Sequence, residues 1–278
     1  MKYLVIDNFI EQDTCNFLIQ DVDKFVENSK LLTVNINRQA LFSSSLEFGS
    51  LVEKSEHWKK FTQKINSNDF LNFCKKKLNI DEKLYLTNFF KIENPSRLEK
   101  LYKSISNEKV KSAGTYTLAK YFAFRLYRDF LRKVKFSKIF NLKKIPVELL
   151  YDYSKAGNGY FREIHRDSDS RVIVFLLYLN SLSDQTKGGT LDIFKLKKGE
   201  NGNLAQPNKS MCEKIESVEP KPGRLVIFKN DNTSYHSVEK LNNSKDSRCF
   251  IYGGFTSLSQ NNPFITQNNL ETIFSNYE

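Results

Sequence analysis

Two of the three histidines in this chain of 278 residues, together with one aspartate, could do chemistry. His165 and Asp167 are two positions apart, just before the apolar run Val172–Leu179. Residues two apart in an extended segment point to the same side, so both side chains can converge on one point. His236 comes later, just after the apolar run Leu225–Phe228. Two imidazoles and one carboxylate can hold iron(II) on one face and leave three positions open.

The spacing of His165 and Asp167 is weak evidence when taken alone. Aspartate favours turns, so an isolated His-x-Asp pattern is more often a surface turn than a metal site. The third histidine, His57, lies beside Trp58 in a predicted amphipathic helix, and we expect it to be a surface or packing residue. The metal hypothesis therefore depends on the sequence around the candidate ligands.

Short β-type runs follow one another from Pro146 onward, separated by Gly, Asn, Asp and Pro residues. The predicted strands are Val147–Tyr153, Val172–Leu179, Leu191–Phe194, Ile215–Val218, Leu225–Phe228 and Cys249–Phe255. Short strands at this spacing predict an all-β sandwich or a jelly roll rather than a parallel α/β sheet. The polar segment Lys195–Ser210 is predicted to be a loop between two strands.

The first half of the chain is predicted to be mostly helical, because its apolar residues recur at steps of three and four. A strand is predicted within Lys2–Phe9. The predicted helices run from Asp13 or Thr14 to Val26, from Ser55 to Ile65, from Ser67 to Leu78 and from Tyr116 to Val134. We find no catalytic motif in this half.

The formal charge of +11 could attract nucleic acid, a membrane or an anionic substrate. The lysines are scattered, which favours a general compositional bias instead. The best candidate for an anion-binding surface is the basic and aromatic stretch Tyr121–Lys144. A solvated helix face is the simpler interpretation of that stretch.

The four cysteines, Cys15, Cys74, Cys212 and Cys249, form no CxxC pair. This spacing argues against a zinc knuckle or a redox-active dithiol and favours reduced thiols in a cytoplasmic protein. The N-terminus lacks the apolar stretch of a signal peptide, and no apolar run approaches the roughly 20 residues of a membrane span. We therefore expect a cytoplasmic protein without a membrane span.

Further motifs surround the candidate ligands in a fixed order. They are Tyr153, Gly157 and Tyr160 before the first histidine; Arg171 before Phe175–Asn180; the pair Gly188–Gly189; the turn Pro222–Gly223; and Tyr235–Val238 around the second histidine. In this order, the segment Tyr151–Phe255 resembles the catalytic core of the 2-oxoglutarate/Fe(II) oxygenase superfamily, specifically its prolyl-4-hydroxylase-like branch. The stretch Tyr3–Phe9 is similar to the opening strand of that family.

The resemblance implies a site that holds Fe(II) through His165, Asp167 and His236 and uses 2-oxoglutarate and O2. A basic residue at the position of Arg248 would pair with the far carboxylate of 2-oxoglutarate, for which a guanidinium offers a two-pronged donor. Tyr153 is a candidate for a second donor to that carboxylate, and Tyr151 points the same way along the strand. For both tyrosines, core packing is the alternative.

The implied reaction is hydroxylation of an unactivated C–H bond, with release of succinate and CO2. The expected substrate is a peptide or a small molecule, and anionic metabolites are among the candidates. Halogenating relatives have a small residue where Asp167 stands, so the carboxylate favours hydroxylation or another oxidation over halogenation. Nucleic-acid demethylases of the superfamily have a second arginine after the one that binds the cosubstrate. Arg248 is the last arginine here, which argues against a nucleic-acid partner.

The resemblance implies an α+β fold with a double-stranded β-helix (jelly-roll) core in residues 146–278. Residues 1–145 would form a mostly helical portion packed against it, as one integrated domain whose opening strand joins the core. Two alternatives stay open. One is a jelly-roll binding protein or pseudoenzyme, against which the complete set of candidate ligands counts. The other is a metal enzyme that does not use 2-oxoglutarate, against which Arg248 and the strand opened by Gly188–Gly189 count.

Overall fold

The computed structural model describes residues 2–26, 31–35, 37–87, 145–200, 204–257 and 262–265. Its helices are α1 (Gln12–Val26), α2 (Leu46–Lys54), α3 (Glu56–Ile65) and α4 (Asn68–Leu78). The strands in residues 2–87 are β1 (Tyr3–Ile6), β2 (Leu32–Asn35), β3 (Arg38–Phe42) and β4 (Leu84–Thr87). The later strands are β5 (Ile145–Ala156), β6 (Arg162–His165), β7 (Arg171–Tyr178), β8 (Leu191–Leu196), β9 (Cys212–Val218), β10 (Leu225–Lys229), β11 (Tyr235–Val238) and β12 (Arg248–Ser257).

These strands form two mostly antiparallel sheets of the jelly-roll type. The large sheet has the order β1-β10-β7-β12-β5-β3-β2, and β4 pairs with β5 in parallel. The small sheet has the order β6-β11-β8-β9. From β5 onward the chain crosses repeatedly between the two sheets, so residues from distant segments meet in the space between them.

The large sheet is covered on both faces. In β7, Val174 and Leu176 belong to the apolar cluster between the sheets, whereas Ile173 and Phe175 belong to the cluster on the other face. Successive side chains of a strand point to opposite faces, so a strand buried on both sides has a continuous apolar sequence. This explains why β7 lacks the alternation of apolar and polar residues that a half-exposed strand shows.

The helices contribute side chains to the apolar cluster on the outer face of the large sheet. Ser55 caps α3 by accepting a hydrogen bond from the backbone N–H of Trp58 at 3.0 Å. The indole N–H of Trp58 donates to the carbonyl of Leu18 in α1 at 3.0 Å. Phe70 of α4 packs edge-on against Phe175 of β7, with ring centroids 5.7 Å apart. None of the described helices is long and apolar enough to cross a membrane.

The helices predicted up to Leu78 and all six strands predicted after Pro146 are confirmed, with small changes at their ends. The opening strand is also confirmed, and it pairs with β10 in the large sheet. Helix α2, strands β2 to β4 and the two short strands β6 and β11 were not predicted. The predicted helix Tyr116–Val134 and the basic stretch Tyr121–Lys144 lie outside the described residues.

Candidate active site

The small sheet brings the two candidate histidines together. His165 ends β6 and His236 lies in β11, and the two are direct partners in the antiparallel register. Their ring centroids are 4.4 Å apart. Asp167 follows two residues after His165, and the ligand atoms of the three residues all lie within 4.8 Å of one another. The pairing of β6 with β11 thus brings together two histidines that are far apart in the sequence.

The buried carboxylate of Asp167 presents an unpaired oxygen to this cluster. Its Oδ1 accepts a hydrogen bond from the phenol of Tyr252. Its Oδ2 has no hydrogen-bond partner among the described residues and lies 3.6 Å from Nε2 of His236. Buried carboxylate oxygens are rarely left without a partner. An unpaired oxygen beside two imidazoles therefore fits a divalent metal such as iron(II).

Backbone carbonyls orient both imidazoles. Nδ1 of His165 lies 2.8 Å from the carbonyl of Glu163, and Nδ1 of His236 lies 3.4 Å from the carbonyl of Ser234. A ring nitrogen that faces a carbonyl must carry the proton, which leaves Nε2 with the lone pair that a metal requires. The chain thus selects the tautomer of each ring through its own backbone.

The electrostatic environment keeps the three residues in their metal-binding protonation states. Burial foremost, and the neighbouring His236 in the same direction, lower the pKa of His165 to about 4. Burial also lowers the pKa of His236. Burial alone would raise the pKa of Asp167, but His236 and Arg171 outweigh this effect and the pKa is lowered. Neutral imidazoles and an ionised carboxylate are the forms that bind metals.

Arg248, the first residue of β12, is a buried cation without a counterion in the described part of the chain. Its side chain is 1% exposed, and its Nη2 donates to the phenol oxygen of Tyr178 at 3.2 Å. Its Cζ lies 4.6 Å from the ring centroid of Phe250, whereas its Nε has no hydrogen-bond partner there. Burying a charge is costly unless it is paired, so this guanidinium is suited to an anionic ligand.

The expectation for Tyr151 and Tyr153 is wrong, because both point away from the site. They belong to the apolar cluster on the helix-covered face of the large sheet. The Tyr151 hydroxyl lies 3.4 Å from Oγ1 of Thr62, and the Tyr153 hydroxyl lies 3.6 Å from Sγ of Cys249. Since side chains alternate along β5, it is Asp152 and its even-numbered neighbours that face the other way.

Three residues of the site were not predicted from the sequence. Tyr252 and Tyr178 contact Asp167 and Arg248, respectively, from the large sheet. Tyr252 could have been found, since residues 248, 250 and 252 of one strand share a face. Arg38 of β3 also reaches the site, where it donates to Asp152 at 2.7 Å. No local pattern marks Arg38, because its position depends on the pairing of β3 with β5.

The cluster opens into a cavity of about 570 Å³, including the space at its mouth. Both histidines line this cavity. Its polar wall contains Arg38, Arg162 and Arg248, and its apolar wall includes Leu176, Phe228 and Phe250. A concave site with an apolar wall and a few converging polar groups is the usual form of a small-molecule pocket.

A jelly-roll fold with two histidines and one carboxylate clustered beside its cavity is typical of a class of non-haem metal enzymes. Residues 150–255 match the family model described as the 2OG-Fe(II) oxygenase superfamily. The family resemblance seen in the sequence is confirmed for this segment. Members of that superfamily use Fe(II), 2-oxoglutarate and O2, and the match supports a 2-oxoglutarate-dependent dioxygenase.

Solved prolyl hydroxylases resemble the chain over most of its length. A prolyl 4-hydroxylase from Phytophthora capsici matches with a TM-score of 0.50 and 15% identity, over 92% of this chain and 59% of that one. A prolyl-4-hydroxylase from Pseudomonas putida matches with a TM-score of 0.47 and 14% identity, over 92% of each chain. A prolyl hydroxylase from Trichoplax adhaerens, solved with a hypoxia inducible factor peptide fragment, matches at 0.45 and 13% identity, over 96% of this chain and 88% of that one.

Proposed function

We propose that this dioxygenase hydroxylates an unactivated C–H bond of a peptide or small molecule, with iron(II) bound by His165, Asp167 and His236. The observation that carries this assignment is the unpaired, buried Oδ2 of Asp167 beside the Nε2 atom of His236. When bound, iron supplies the centre at which O2 is activated as 2-oxoglutarate is converted to succinate and CO2. Three protein ligands would leave coordination positions of the metal open for the cosubstrate and O2.

Arg248 and Tyr178 form the proposed anchor for the far carboxylate of 2-oxoglutarate. The unpaired guanidinium of Arg248 offers two parallel N–H donors, and its Nη2 already contacts the Tyr178 hydroxyl. The pKa of Tyr178 is raised, mainly by burial, so its phenol remains a hydrogen-bond donor at neutral pH. The two groups would fix one end of 2-oxoglutarate while its other end reaches the histidines across the cavity.

The apolar wall of the cavity has the role of excluding water. Leu176 and Phe228 lie on strands of the large sheet, and both line the cavity beside the histidines. The ring of Phe228 lies with its centroid 4.9 Å from that of His236. An apolar surface at this position strengthens the electrostatic interactions of the site and limits side reactions with water.

The N-terminal portion, residues 1–145, is proposed to form one integrated domain with a double-stranded β-helix in residues 146–278. Strand β1 pairs with β10, β3 pairs with β5, and β2 pairs with β3, so the first 42 residues supply three strands of the large sheet. Helix α4 supports the same sheet through Phe70 and Phe175. These contacts favour a helical layer that packs on the jelly roll over a separate helical domain.

The proposal is tested by adding Fe(II) and then 2-oxoglutarate to the metal-free protein without oxygen, and by recording the visible charge-transfer band of the chelate. We expect the band in the wild type and its loss in His236→Ala. His57→Ala is the matched control, since His57 lies in α3 and interacts with Asp21 instead. A metal-loaded wild type without the band would exclude 2-oxoglutarate chemistry and favour a binding protein or another metal enzyme.

A further inference from the structure

Strand β6 contains a bulge between Arg162 and His165. His165 pairs with His236 of β11, whereas Arg162 pairs with Val238, so three residue steps on β6 oppose two steps on β11. Residues three apart on a regular strand point to opposite faces. The extra residue of a bulge changes this relation and redirects a side chain. As a result, Arg162 and His165 line the same cavity.

The three arginines that line the cavity differ in their partners. Arg38 donates to Asp152 at 2.7 Å and to Ser154 at 3.0 Å, so its charge is matched by a buried carboxylate. Arg248 is the anchor proposed for 2-oxoglutarate. Arg162 makes no hydrogen bond or ion pair with any residue in the described ranges, and its side chain is partly exposed. It is thus the one cavity arginine there with neither a protein partner nor a role in holding the cosubstrate.

With iron(II) and 2-oxoglutarate bound, the cavity would carry a net positive charge on the side of Arg162. No aspartate or glutamate lines the cavity in the part of the chain that the structure describes. Iron(II) would cancel the charge of the 2-oxoglutarate dianion, and the carboxylate of Asp167 would cancel the charge of Arg248, so the charge of Arg162 is left unbalanced. A cleft lined by one sign of charge attracts molecules of the opposite sign.

From these observations we propose that Arg162 binds a carboxylate of the substrate, and that the substrate of this dioxygenase is therefore an acid. This inference rests on the proposed function, whose substrate class it specifies. A guanidinium fork pairs with a carboxylate through two parallel hydrogen bonds, which fixes orientation as well as position. Arg162 is held by a sheet strand three residues before the ligand His165. The anchored carboxylate would therefore determine which C–H bond of the substrate faces the metal.

The test uses the full chain loaded with Fe(II) and saturating 2-oxoglutarate without oxygen. The probes are L-glutamate, L-aspartate and L-proline, each beside its carboxamide, and pentapeptides that differ only in glutamate or glutamine at the centre. Binding is measured by calorimetry and by the shift of the charge-transfer band. The wild type is expected to bind at least one acid about tenfold or more tightly than its amide. The free acids and the peptides separate a small-molecule acid from an acidic side chain.

The variants assign this preference to one residue. We expect Arg162→Gln to lose the preference and Arg162→Lys to retain part of it, because lysine keeps the charge but not the fork. Lys195→Gln is the matched control, since it removes the same charge from an exposed position of the small sheet. The band itself reports whether each variant still forms the metal site.

Two outcomes would overturn the inference. If the band forms but the wild type does not prefer acids to amides, Arg162 has no such role. The same conclusion follows if Arg162→Gln keeps the preference. Both results would leave the proposed function intact, whereas absence of the band in the wild type would overturn the proposed function and this inference together.

Discussion

The phenol of Tyr252, in the large sheet, donates a hydrogen bond to Oδ1 of Asp167, which follows the edge of the small sheet. The pKa of Tyr252 is raised, mainly by burial, so the phenol stays protonated and donates its hydrogen bond to the carboxylate. Arg171 stacks on the Tyr252 ring, with Cζ 4.4 Å from its centroid. One oxygen of Asp167 is therefore fixed by the protein, and the other is directed at His236.

This relationship predicts that Tyr252→Phe weakens metal binding about ten- to hundredfold while the fold is kept, since residues that orient a metal ligand contribute this much. The measurement is the dissociation constant for Mn(II) or Zn(II) in competition with a chelator. Tyr3→Phe is the matched control, because it removes another tyrosine–carboxylate hydrogen bond, the one to Glu216, outside the cavity. Equal metal affinity of the two variants would contradict the orienting role.

Arg248→Met is predicted to abolish cosubstrate binding and yet stabilise the protein without ligands. Replacing a buried, unpaired charge with an apolar side chain of similar size should raise the free energy of unfolding by about 1 kcal/mol. The affinity for 2-oxoglutarate should fall about a hundredfold or more, because two charge-assisted hydrogen bonds are lost. Urea unfolding of the apo protein and titration with 2-oxoglutarate measure the two effects.

Arg38→Met serves as the control, because we expect it to change the free energy of unfolding in the opposite direction. This change leaves Asp152 buried without its ion-pair partner, so we expect a loss of about 3–5 kcal/mol. If both variants were destabilised equally, the contacts of Arg248 with Phe250 and Tyr178 would outweigh the cost of its unpaired charge. That result would argue against Arg248 as a binding residue for an anionic ligand.

The candidate ligands were predictable because their signal is local. His165 and Asp167 share one short segment, and the motifs around them occur in the same order as in the 2-oxoglutarate/Fe(II) oxygenase superfamily. The strands β6 and β11 that carry the histidines were missed, since each has only four residues of mixed polarity. Such short strands acquire their structure from pairing with neighbours rather than from their own pattern.

The error on Tyr151 and Tyr153 has a different physical cause. Both faces of β5 are buried, so the sequence shows no contrast between the cavity side and the helix side. The alternation of side chains predicts that the two tyrosines share a face, which is correct, but it does not tell which face that is. Only the packing of α3 through Trp58, whose ring lies 5.9 Å from that of Tyr153, determines it.

The metal-free protein is predicted to lose stability as the pH falls from about 6.5 towards 4. Burial lowers the pKa of His165 to about 4, whereas the unfolded chain titrates near 6.5. Between these values the unfolded state binds more protons than the folded state, so acidification favours unfolding. Urea unfolding at a series of pH values should show this slope, and His165→Gln should reduce it. A His165→Gln variant with the full wild-type slope would mean that the imidazole of His165 is solvated and titrates normally in the folded protein.

The single tryptophan of the chain makes it possible to test whether the helices and the jelly roll unfold together. Trp58 is fully buried in α3, so its fluorescence reports on the helical layer. Bound Co(II), which absorbs in the visible range, would report on the metal cluster between the sheets. In one integrated domain the two signals change over the same range of denaturant concentration, since the unfolding of such domains is cooperative.

Phe70→Ala is predicted to shift both transitions together by about 3–5 kcal/mol, the usual cost of deleting a buried aromatic ring. The reason is that Phe70 joins α4 to the large sheet through Phe175 and Phe255, with ring centroids 5.7 and 5.8 Å away. Phe17→Ala, at a position that is 43% exposed, should cost less than about 1 kcal/mol. If Phe70→Ala moved only the Trp58 signal, the helices would be a separate unit. Displacement of both signals would instead establish that the helical layer is part of the scaffold that holds the metal cluster.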